Sequence, residues 1–249
     1  MSLTLDYRKH AIEHAFRNVK TVLAVCSGKG GVGKTFIATG LAWTLRKMYR
    51  VGLLDLDVHG FSTHRFLNYE PMLKFTSIEE AVPVEINGLV YFSPVLLVGE
   101  RPLPIHGVYR ERAVLDILSF VKWPSLDMLI IDMPPGTGDE IILPCRYLHR
   151  KLNTLIVSLP DPVSIQVASR LVKLLEDSRV KIIGAVLNMF HGKAPESVRI
   201  GNVEILFAIP YLSCVATSLM RGKVPYDECP DVANIFERLA EIVVKRVIS

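Results

Sequence analysis

The stretch TVLAVCSGKGGVGKT, residues 21–35, joins an apolar run of strand length to a glycine-rich turn. Its second half fits the pattern G-x-x-x-x-G-K-[ST], the phosphate-binding P-loop. A helical pattern follows from Thr35 to Met48, as this motif requires. Glycines let backbone N–H groups turn towards a phosphate, and the N-terminus of the next helix adds positive potential. The stretch therefore predicts a strand, a loop and a helix that bind the phosphates of a nucleotide.

The residues of this loop have separate predicted roles. Lys34 is expected to bridge the β- and γ-phosphates, and the hydroxyl of Thr35 is expected to bind Mg²⁺. Lys29 is an extra lysine early in the loop, and it places a second cation beside the polyphosphate. The nucleotide-binding residues predicted from the loop and the first helical turn are Gly28, Lys29, Gly30, Gly31, Val32, Gly33, Lys34, Thr35 and Phe36.

Two predicted strands end in carboxylates. Asp55 and Asp57 end the run VGLLDLD, and Asp132 ends the run LIID in the manner of a Walker B strand. Ligands of open parallel sheets bind beyond the carboxyl ends of the strands, so these side chains should lie near the P-loop. Asp132 is expected to bind Mg²⁺ through a water molecule. Asp57 is expected to lie beside the metal and to orient the nucleophilic water, and Asp55 is expected to support the structure around it. The alternative is that these aspartates only cap turns or helices.

The predicted catalytic residues are therefore Lys29, Lys34 and Asp57, and the predicted metal ligands are Thr35, Asp57 and Asp132. Phosphoryl transfer needs a metal shell and a group that orients water, and this set offers both.

Apolar runs of strand length alternate with helical patterns along the chain. Strands are predicted at 21–26, 51–55, 127–132, 154–159, 181–187 and 204–209, and helices at 35–48, 110–121, 163–175 and 232–243. Short, non-alternating strands separated by helices predict an α/β fold of the P-loop type, a mostly parallel twisted sheet with helices on both faces. A small hairpin, 82–86 and 89–93 around Asn87-Gly88, is predicted as an insertion between the second and third core strands. We expect one domain over 1–249, with 1–20 as an N-terminal extension.

Composition limits the classes of function. The chain has 249 residues and a net charge of +4, with 50% hydrophobic and 22% charged residues, which is typical of a globular protein. No block of five like charges favours nucleic acid, and no apolar stretch approaches the roughly 18 residues of a membrane span. The first ten residues are too polar for a signal peptide. We therefore expect a cytoplasmic protein with neither nucleic acid nor membrane among its partners.

Cysteine and histidine spacing offers no local metal motif. No two cysteines stand at a C-x-x-C spacing, so all four are expected as reduced thiols, and Cys145 as a small buried residue. His10 and His14 have i, i+4 spacing, but a solvated helix face explains them better than a metal site. The four cysteines are Cys26, Cys145, Cys214 and Cys229.

The stretch that follows Asp132 reads MPPGTGD and narrows the class. Its two prolines and two glycines predict a tight loop, in which Gly136 would offer a backbone N–H to the γ-phosphate. D-x-P-P-G-T-G-D, together with the extra Lys29, the run VGLLDLD and the pair Asn188-Met189, resembles the Mrp family of deviant-Walker-A P-loop ATPases. These are the ATP-binding iron–sulfur cluster carriers of the MinD/ParA/Mrp class. The resemblance covers about residues 18–243.

The resemblance implies a slow Mg²⁺-dependent ATPase that acts as a nucleotide-gated homodimer and passes iron–sulfur clusters to client apo-proteins. In this class the early lysine, here Lys29, reaches across the dimer to the partner's nucleotide. The resemblance also implies that Asn188 hydrogen-bonds the adenine edge, with Pro210 packing nearby. An amide suits adenine because it donates and accepts at once. The alternative is that Asn188 only forms a turn.

The sequence departs from this family at the cluster site. Typical members carry C-P-x-C six residues after the asparagine, where this chain has Ala194-Pro195-Glu196-Ser197. Alanine and serine are not usual ligands of an iron–sulfur centre, so we expect no bridging cluster of its own. A rearranged site from Cys214, Cys229 and His191 is the alternative.

Two other classes of function stay open. The first is a regulatory or scaffold ATPase without cluster carriage, which would pair as a heterodimer with a cluster-bearing relative. The second is a MinD/ParA-type positioning ATPase that acts at a membrane or on DNA.

Overall fold

The computed structural model describes residues 2–58, 60–71, 81–99, 108–192 and 198–248. Within these ranges the elements, in chain order, are α1 (Ser2–Ala15), β1 (Val19–Cys26), α2 (Lys34–Leu45), β2 (Val51–Asp55), α3 (Thr63–Phe66), β3 (Val84–Ile86), β4 (Leu89–Phe92), α4 (Val95–Val98), α5 (Val108–Phe120), β5 (Leu126–Asp132), α6 (Asp139–Leu148), β6 (Leu152–Ser158), α7 (Pro162–Asp177), β7 (Ile182–Phe190), β8 (Ile205–Pro210), α8 (Ser213–Met220), α9 (Pro225–Glu228) and α10 (Pro230–Val247).

The strands form one eight-stranded sheet in the order β3-β4-β2-β5-β1-β6-β7-β8. Every neighbouring pair is parallel except β3 with β4. The predicted α/β class is confirmed, because the buried apolar runs of the sequence form the central strands. Asp55 and Asp132 are paired in register at the carboxyl ends of β2 and β5, which places both carboxylates at the edge where the P-loop follows β1.

Helices cover both faces of the sheet. Side chains alternate along β1, so that Val22 and Ala24 pack in one apolar cluster and Leu23 and Val25 in the other. The first cluster is completed by α1, α5, α6 and α7, and the second by α2, α9 and α10. This double cover explains why the strands read as continuous apolar runs.

The hairpin and the N-terminal segment are more integrated than the sequence suggests. Asn87 and Gly88 both have positive φ, 49° and 84°, as the predicted tight turn requires. The hairpin does interrupt the chain between β2 and β5, but β4 pairs with β2 and extends the edge of the main sheet. Residues 1–20 include α1, and Ile12 in this helix and Phe16 just after it are buried in the core.

The expectation of four reduced thiols is wrong. Cys214 and Cys229 form a disulfide, with their Cα atoms 6.2 Å apart. Packing of α8 beside α9 brings the two together across 15 residues, and no spacing rule reveals this in the sequence. Cys26 and Cys145 are free and buried, as expected for Cys145. The two disulfide-bonded cysteines are therefore not available here for the rearranged cluster site.

Candidate nucleotide-binding site

The P-loop adopts a conformation that glycine permits. Gly31 and Gly33 have φ values of 79° and 86°, in the left-handed region. A Cβ at Gly33 would lie 2.1 Å from the amide nitrogen of Asn188, and one at Gly28 would lie 2.8 Å from the backbone of Val167. A Cβ at Gly31 would meet nothing within 4 Å. The loop is therefore packed on its protein side and open on the side where phosphates would approach.

Lys34 and Thr35 both contact the carboxylate that ends β5. Lys34 Nζ lies 2.6 Å from Asp132 Oδ1, and the Thr35 hydroxyl donates to Asp132 Oδ2 at 2.7 Å. Lys34 is 6% exposed and Asp132 is 1% exposed. Burial alone would lower the pKa of Lys34, but the Asp132 carboxylate raises it above its ordinary value, so the lysine stays charged. The three side chains thus form one buried, charged group at the start of α2.

Asp55 supports the loop that follows β2. Its carboxylate accepts hydrogen bonds from the backbone N–H of Asp57 at 3.1 Å and from the Thr63 hydroxyl at 2.8 Å. Burial, and then the charge of Asp132, raise the pKa of Asp55 to about 7. Asp55 is fully buried and holds both ends of the 57–63 loop, which is the supporting role expected from the sequence.

Asp57 lies at the wall of a cavity of about 370 Å³. It is half-buried, and one of its oxygens accepts the Gly60 N–H at 3.1 Å. The same cavity is lined by Lys29, Lys34 and Thr35. The structure therefore brings the predicted catalytic residues to one space, where the negative charge of Asp57 acts on Lys34.

Gly136 is placed differently from the expectation. Its N–H donates to the Ser27 carbonyl at 3.0 Å, and it is not among the residues that line the cavity. Its neighbour Pro135 lines the cavity instead. A contact between Gly136 and the γ-phosphate stays a prediction, and it requires this backbone bond to open.

A second cavity of about 220 Å³ adjoins the first and is mostly apolar. The two share Gly33, Phe36, Phe66 and Met189, so they lie side by side, the first lined by charged side chains and the second mostly apolar. The remaining lining residues of the apolar cavity are Asn188, Pro210, Tyr211, Leu212, Val215, Ala216 and Leu219. Charged side chains beside an apolar cavity match the phosphates and the base of a nucleotide.

Asn188 and Pro210, which lie 22 residues apart, meet at this apolar cavity. Asn188 is 2% exposed, and its amide nitrogen donates to the P-loop carbonyl of Val32 at 2.9 Å. That bond uses one of its two N–H groups. The next residue, Met189, has φ 56°, a strained conformation for a side chain of this kind. The strand end is therefore bent at the position where the two cavities adjoin.

Lys29 has a partner within its own chain. Its Nζ lies 3.9 Å from Oδ2 of Asp161, and both side chains are partly exposed. Asp161 caps the N-terminus of α7 by accepting the N–H of Ser164 at 2.9 Å, and it also accepts the Ser164 hydroxyl. These bonds, with a smaller contribution from Lys29, hold the pKa of Asp161 below its usual range. The predicted reach of Lys29 across a dimer is not tested by a single chain.

Sequence reasoning missed several residues of the site. Asp161 carries a readable signal, an aspartate before Pro162 with Ser164 three residues on, which is typical of a helix start. Phe66, Val215 and Leu219 carry none, because α3 and α8 are too short to show a helical period.

The described residues hold no further metal or membrane feature. They contain no group of three or more His, Cys, Asp or Glu side chains able to hold a metal ion. His10 and His14 are exposed on α1, where they contact Glu13 and Arg17, as expected of a solvated helix face. Among the same residues, no helix combines the length and apolarity needed to cross a bilayer. Ala194-Pro195-Glu196-Ser197 lies outside the described residues.

Comparison with known proteins gives concordant matches. The family described as "NUBPL iron-transfer P-loop NTPase" matches residues 18–208. An iron-sulfur cluster carrier protein of Saccharolobus solfataricus is 31% identical over 231 residues, covering 90% of this chain and 76% of that protein.

Solved structures share the fold. A nucleotide-binding protein of Archaeoglobus fulgidus, solved in complex with ADP, superimposes with a TM-score of 0.70 at 26% identity, over 92% of this chain and 96% of that chain. The septum site-determining protein MinD of Pyrococcus horikoshii, complexed with Mg-ADP, gives 0.69 at 19% identity, over 90% and 96%. This second match shows the fold alone.

Proposed function

The chain belongs to the NUBPL family of iron-transfer P-loop NTPases, and we propose that it binds Mg·ATP and hydrolyses it slowly as a nucleotide-gated dimer. One observation carries the proposal: the cavity lined by Lys34, Thr35 and Asp57 adjoins an apolar cavity lined by Asn188 and Pro210. The two neighbouring cavities suit a nucleoside triphosphate, with its phosphates on the P-loop and its base at the ends of β7 and β8.

The donor set in the cavity at the P-loop fits Mg²⁺. Thr35 and Asp132 offer a hydroxyl and a carboxylate, which are hard oxygen ligands of the kind Mg²⁺ prefers. Thr35 would hold the ion directly and Asp132 through water, and the ion would neutralise charge on the phosphates. The two oxygens of Asp132 accept hydrogen bonds from Lys34 and Thr35, so the proposed metal-binding side chains already lie next to each other.

The chemistry of the remaining residues follows from their charges. Lys34 would exchange its bond to Asp132 for one to the β- and γ-phosphates, where its charge stabilises the transferring group. Asp57 would accept a hydrogen bond from the attacking water and orient it towards the γ-phosphate. Asp55 keeps the backbone of Asp57 in place through their 3.1 Å bond. No group in the cavity forms a covalent intermediate in this mechanism.

Lys29 links nucleotide binding to dimerisation in this proposal. Its 3.9 Å contact with Asp161 is long and partly exposed, so it contributes little to stability and is easily exchanged. The charge of bound ATP, only partly neutralised by Mg²⁺, needs a further cation before a second subunit can bury it. Lys29 of each chain would supply that cation to the other chain's nucleotide.

Replacing Lys29 with alanine should abolish the ATP-dependent dimer while nucleotide binding is kept, within about threefold because the lost contact is a solvated one. Light scattering with a non-hydrolysable ATP analogue measures the dimer, and calorimetry measures binding. Lys173→Ala, on the exposed side of α7, is the matched control. A dimer of undiminished stability in Lys29→Ala would show that this lysine acts only within its own subunit.

Family membership supports a role in iron–sulfur protein maturation, with apo-proteins as the proposed clients. The substitutions at residues 194 and 197 support a protein without its own bridging cluster. A four-iron cluster is usually held by four thiolates, and the two subunits of a homodimer would offer none there. Cluster carriage would then fall to a cluster-bearing relative in a heterodimer. The composition supports a cytoplasmic location, with neither nucleic acid nor membrane as partner.

The wild-type protein should hold no stable cluster after anaerobic reconstitution with iron and sulfide, and Ala194→Cys with Ser197→Cys should gain one per dimer. Retained Pro195 fixes φ between the two positions and so favours the geometry of the motif. Iron content and visible absorption are the measurements, with each single cysteine variant as control. If wild type and double variant bind equally well, the ligands lie elsewhere. If neither binds, the loop has diverged beyond its thiols, and a regulatory or scaffold ATPase becomes the better description.

A positioning ATPase of the MinD/ParA type is the remaining alternative. Co-sedimentation with liposomes and with DNA, each with and without ATP, separates it from the proposed function. ATP-dependent pelleting with either would favour it.

A further inference from the structure

The disulfide connects α8, which lines the apolar cavity, to a segment that packs behind the P-loop helix. Cys214 is the second residue of α8, and Cys229 lies between α9 and α10. Cys229 is 4% exposed, whereas Cys214 is half-buried. The bridge therefore has one sulfur in the apolar cluster behind α2 and one nearer the surface.

Helix α8 forms one wall of the apolar cavity but has little burial of its own. Leu212, Val215 and Leu219 line the cavity from this segment. Ser218 is the only residue of α8 that is buried, and Met220 at its end is 88% exposed. Eight residues are too few for a helix to be stable alone, so the position of α8 depends on its tertiary attachments. A covalent bond from its first turn is the strongest of those attachments.

The other end of the bridge is anchored behind the P-loop. Tyr226 in α9 donates its hydroxyl to the backbone carbonyl of Phe36 at 2.8 Å, and the two rings stack with centroids 5.6 Å apart. Phe236 in α10 packs edge-on against both rings. Phe36 itself lines both cavities. The segment around Cys229 is thus fixed to α2, and the disulfide transmits that fixed position to α8.

We propose that the Cys214–Cys229 pair is a redox-active modification site, whose oxidised form holds α8 over the nucleotide base and whose reduced form releases it. The proposal rests on the nucleotide-binding function proposed above. Reduction of the disulfide is expected to affect binding of the base, because α8 lines the apolar cavity and does not line the cavity at the P-loop. Reduction should therefore weaken binding of ATP while leaving phosphate binding at the P-loop unchanged.

The exchange reaction balances with a thiol as reductant, either a small-molecule thiol or a dithiol protein. A thiolate attacks the more exposed sulfur, that of Cys214, and the Sγ–Sγ bond breaks. Cys229 leaves as a thiolate and takes up a proton. A second thiol attacks the mixed disulfide, forms the oxidised reductant and releases Cys214, which is also protonated. Two electrons pass from two thiols to the protein disulfide, and the reverse reaction with an oxidised disulfide restores the bridge.

The test compares two ligands in two redox states of the full chain. Mg·ATP and Mg·tripolyphosphate are titrated by calorimetry into the oxidised protein and into protein reduced with dithiothreitol, with the bridge followed by thiol titration. The expected result is a loss of ATP affinity of about tenfold on reduction, since the 15-residue loop loses its closure, and no change for tripolyphosphate. Cys214→Ala with Cys229→Ala should bind ATP as the reduced protein does and should not respond to reductant. Cys145→Ala removes a buried thiol elsewhere and should keep the full response.

Each other outcome overturns the proposal. Equal ATP affinity in both redox states, with the double variant unchanged, would mean that the bridge has no influence on the base. An equal loss for ATP and tripolyphosphate would mean that the effect acts on the P-loop. Loss of the helical circular-dichroism signal on reduction would mean that the bridge holds the whole fold. Failure of ATP to bind in either state would instead refute the proposed nucleotide-binding function, together with the proposal built on it.

Discussion

Replacing Lys34 with alanine should lower the affinity for Mg·ATP by about 100-fold or more, since truncating one partner of a buried, hydrogen-bonded charge pair costs on the order of 2–5 kcal/mol. Lys34 is the buried cation of the P-loop, 2.6 Å from Asp132, and its charge is maintained by that carboxylate. Alanine leaves the phosphates without this charge and leaves Asp132, which is 1% exposed, without its ionic partner.

Calorimetric titration of Mg·ATP measures this loss, and a thermal melt without nucleotide checks that the variant folds. Lys29→Ala is the matched control, because it removes a lysine from the same loop at a position with a partly exposed side chain. Affinity in Lys34→Ala within threefold of wild type would refute the assignment of the loop to phosphate binding.

Replacing Asp57 with asparagine should leave Mg·ATP binding within about threefold and reduce phosphate release by about 100-fold or more, the usual contribution of a group that accepts a proton or orients water. Asparagine has nearly the shape of aspartate and still accepts the Gly60 N–H, whose bond to Asp57 is 3.1 Å. It removes a negative charge from the cavity that Lys34 and Thr35 also line. Binding and turnover are therefore expected to separate.

Calorimetry and phosphate release on the same preparation make this comparison. Asp177→Asn, on the exposed end of α7, controls for the loss of one carboxylate from the surface. Equal losses of binding and turnover in Asp57→Asn would mean that this residue is a binding or metal residue instead. Unchanged turnover would remove it from the mechanism.

The parts of the fold that were predictable are those with a local physical cause. Buried strands of a parallel sheet are apolar on both faces, so β1, β2, β5 and β6 were readable as continuous runs. Asn87-Gly88 predicted its hairpin because few other pairs accept positive φ twice. The position of that hairpin at the edge of the sheet was not predictable, since β4 pairs with β2 through residues 38 positions apart in the chain.

Within the candidate site, the positions of the residues at the ends of strands were predictable, and few other contacts were. Asp132 was placed near Lys34 by the rule that strand ends meet at one edge, although 98 residues separate the two. The bond from the Asn188 amide to the Val32 carbonyl depends on the bend at Met189, which no local signal marks. The roles assigned to these residues stay predictions.

The disulfide and the part of the apolar cavity that α8 lines could not be predicted from the sequence, for the same reason. Both depend on α8, an eight-residue helix with one buried residue and hence no clear apolar period. Its position is set by what it packs against and by the bond from Cys214, rather than by its own sequence. The position of a short helix over a ligand cavity is determined by tertiary contacts, which a single sequence does not show.

Phosphate release from Mg·ATP, measured per chain over a wide range of protein concentration, tests the central claim most directly. The proposed nucleotide-gated ATPase predicts a slow rate that rises with protein concentration, as chains pair, and then reaches a plateau. The Lys34→Ala protein should stay at background throughout. A wild-type rate equal to that background at every concentration would contradict ATP hydrolysis, and a rate above background but independent of concentration would contradict control by dimerisation.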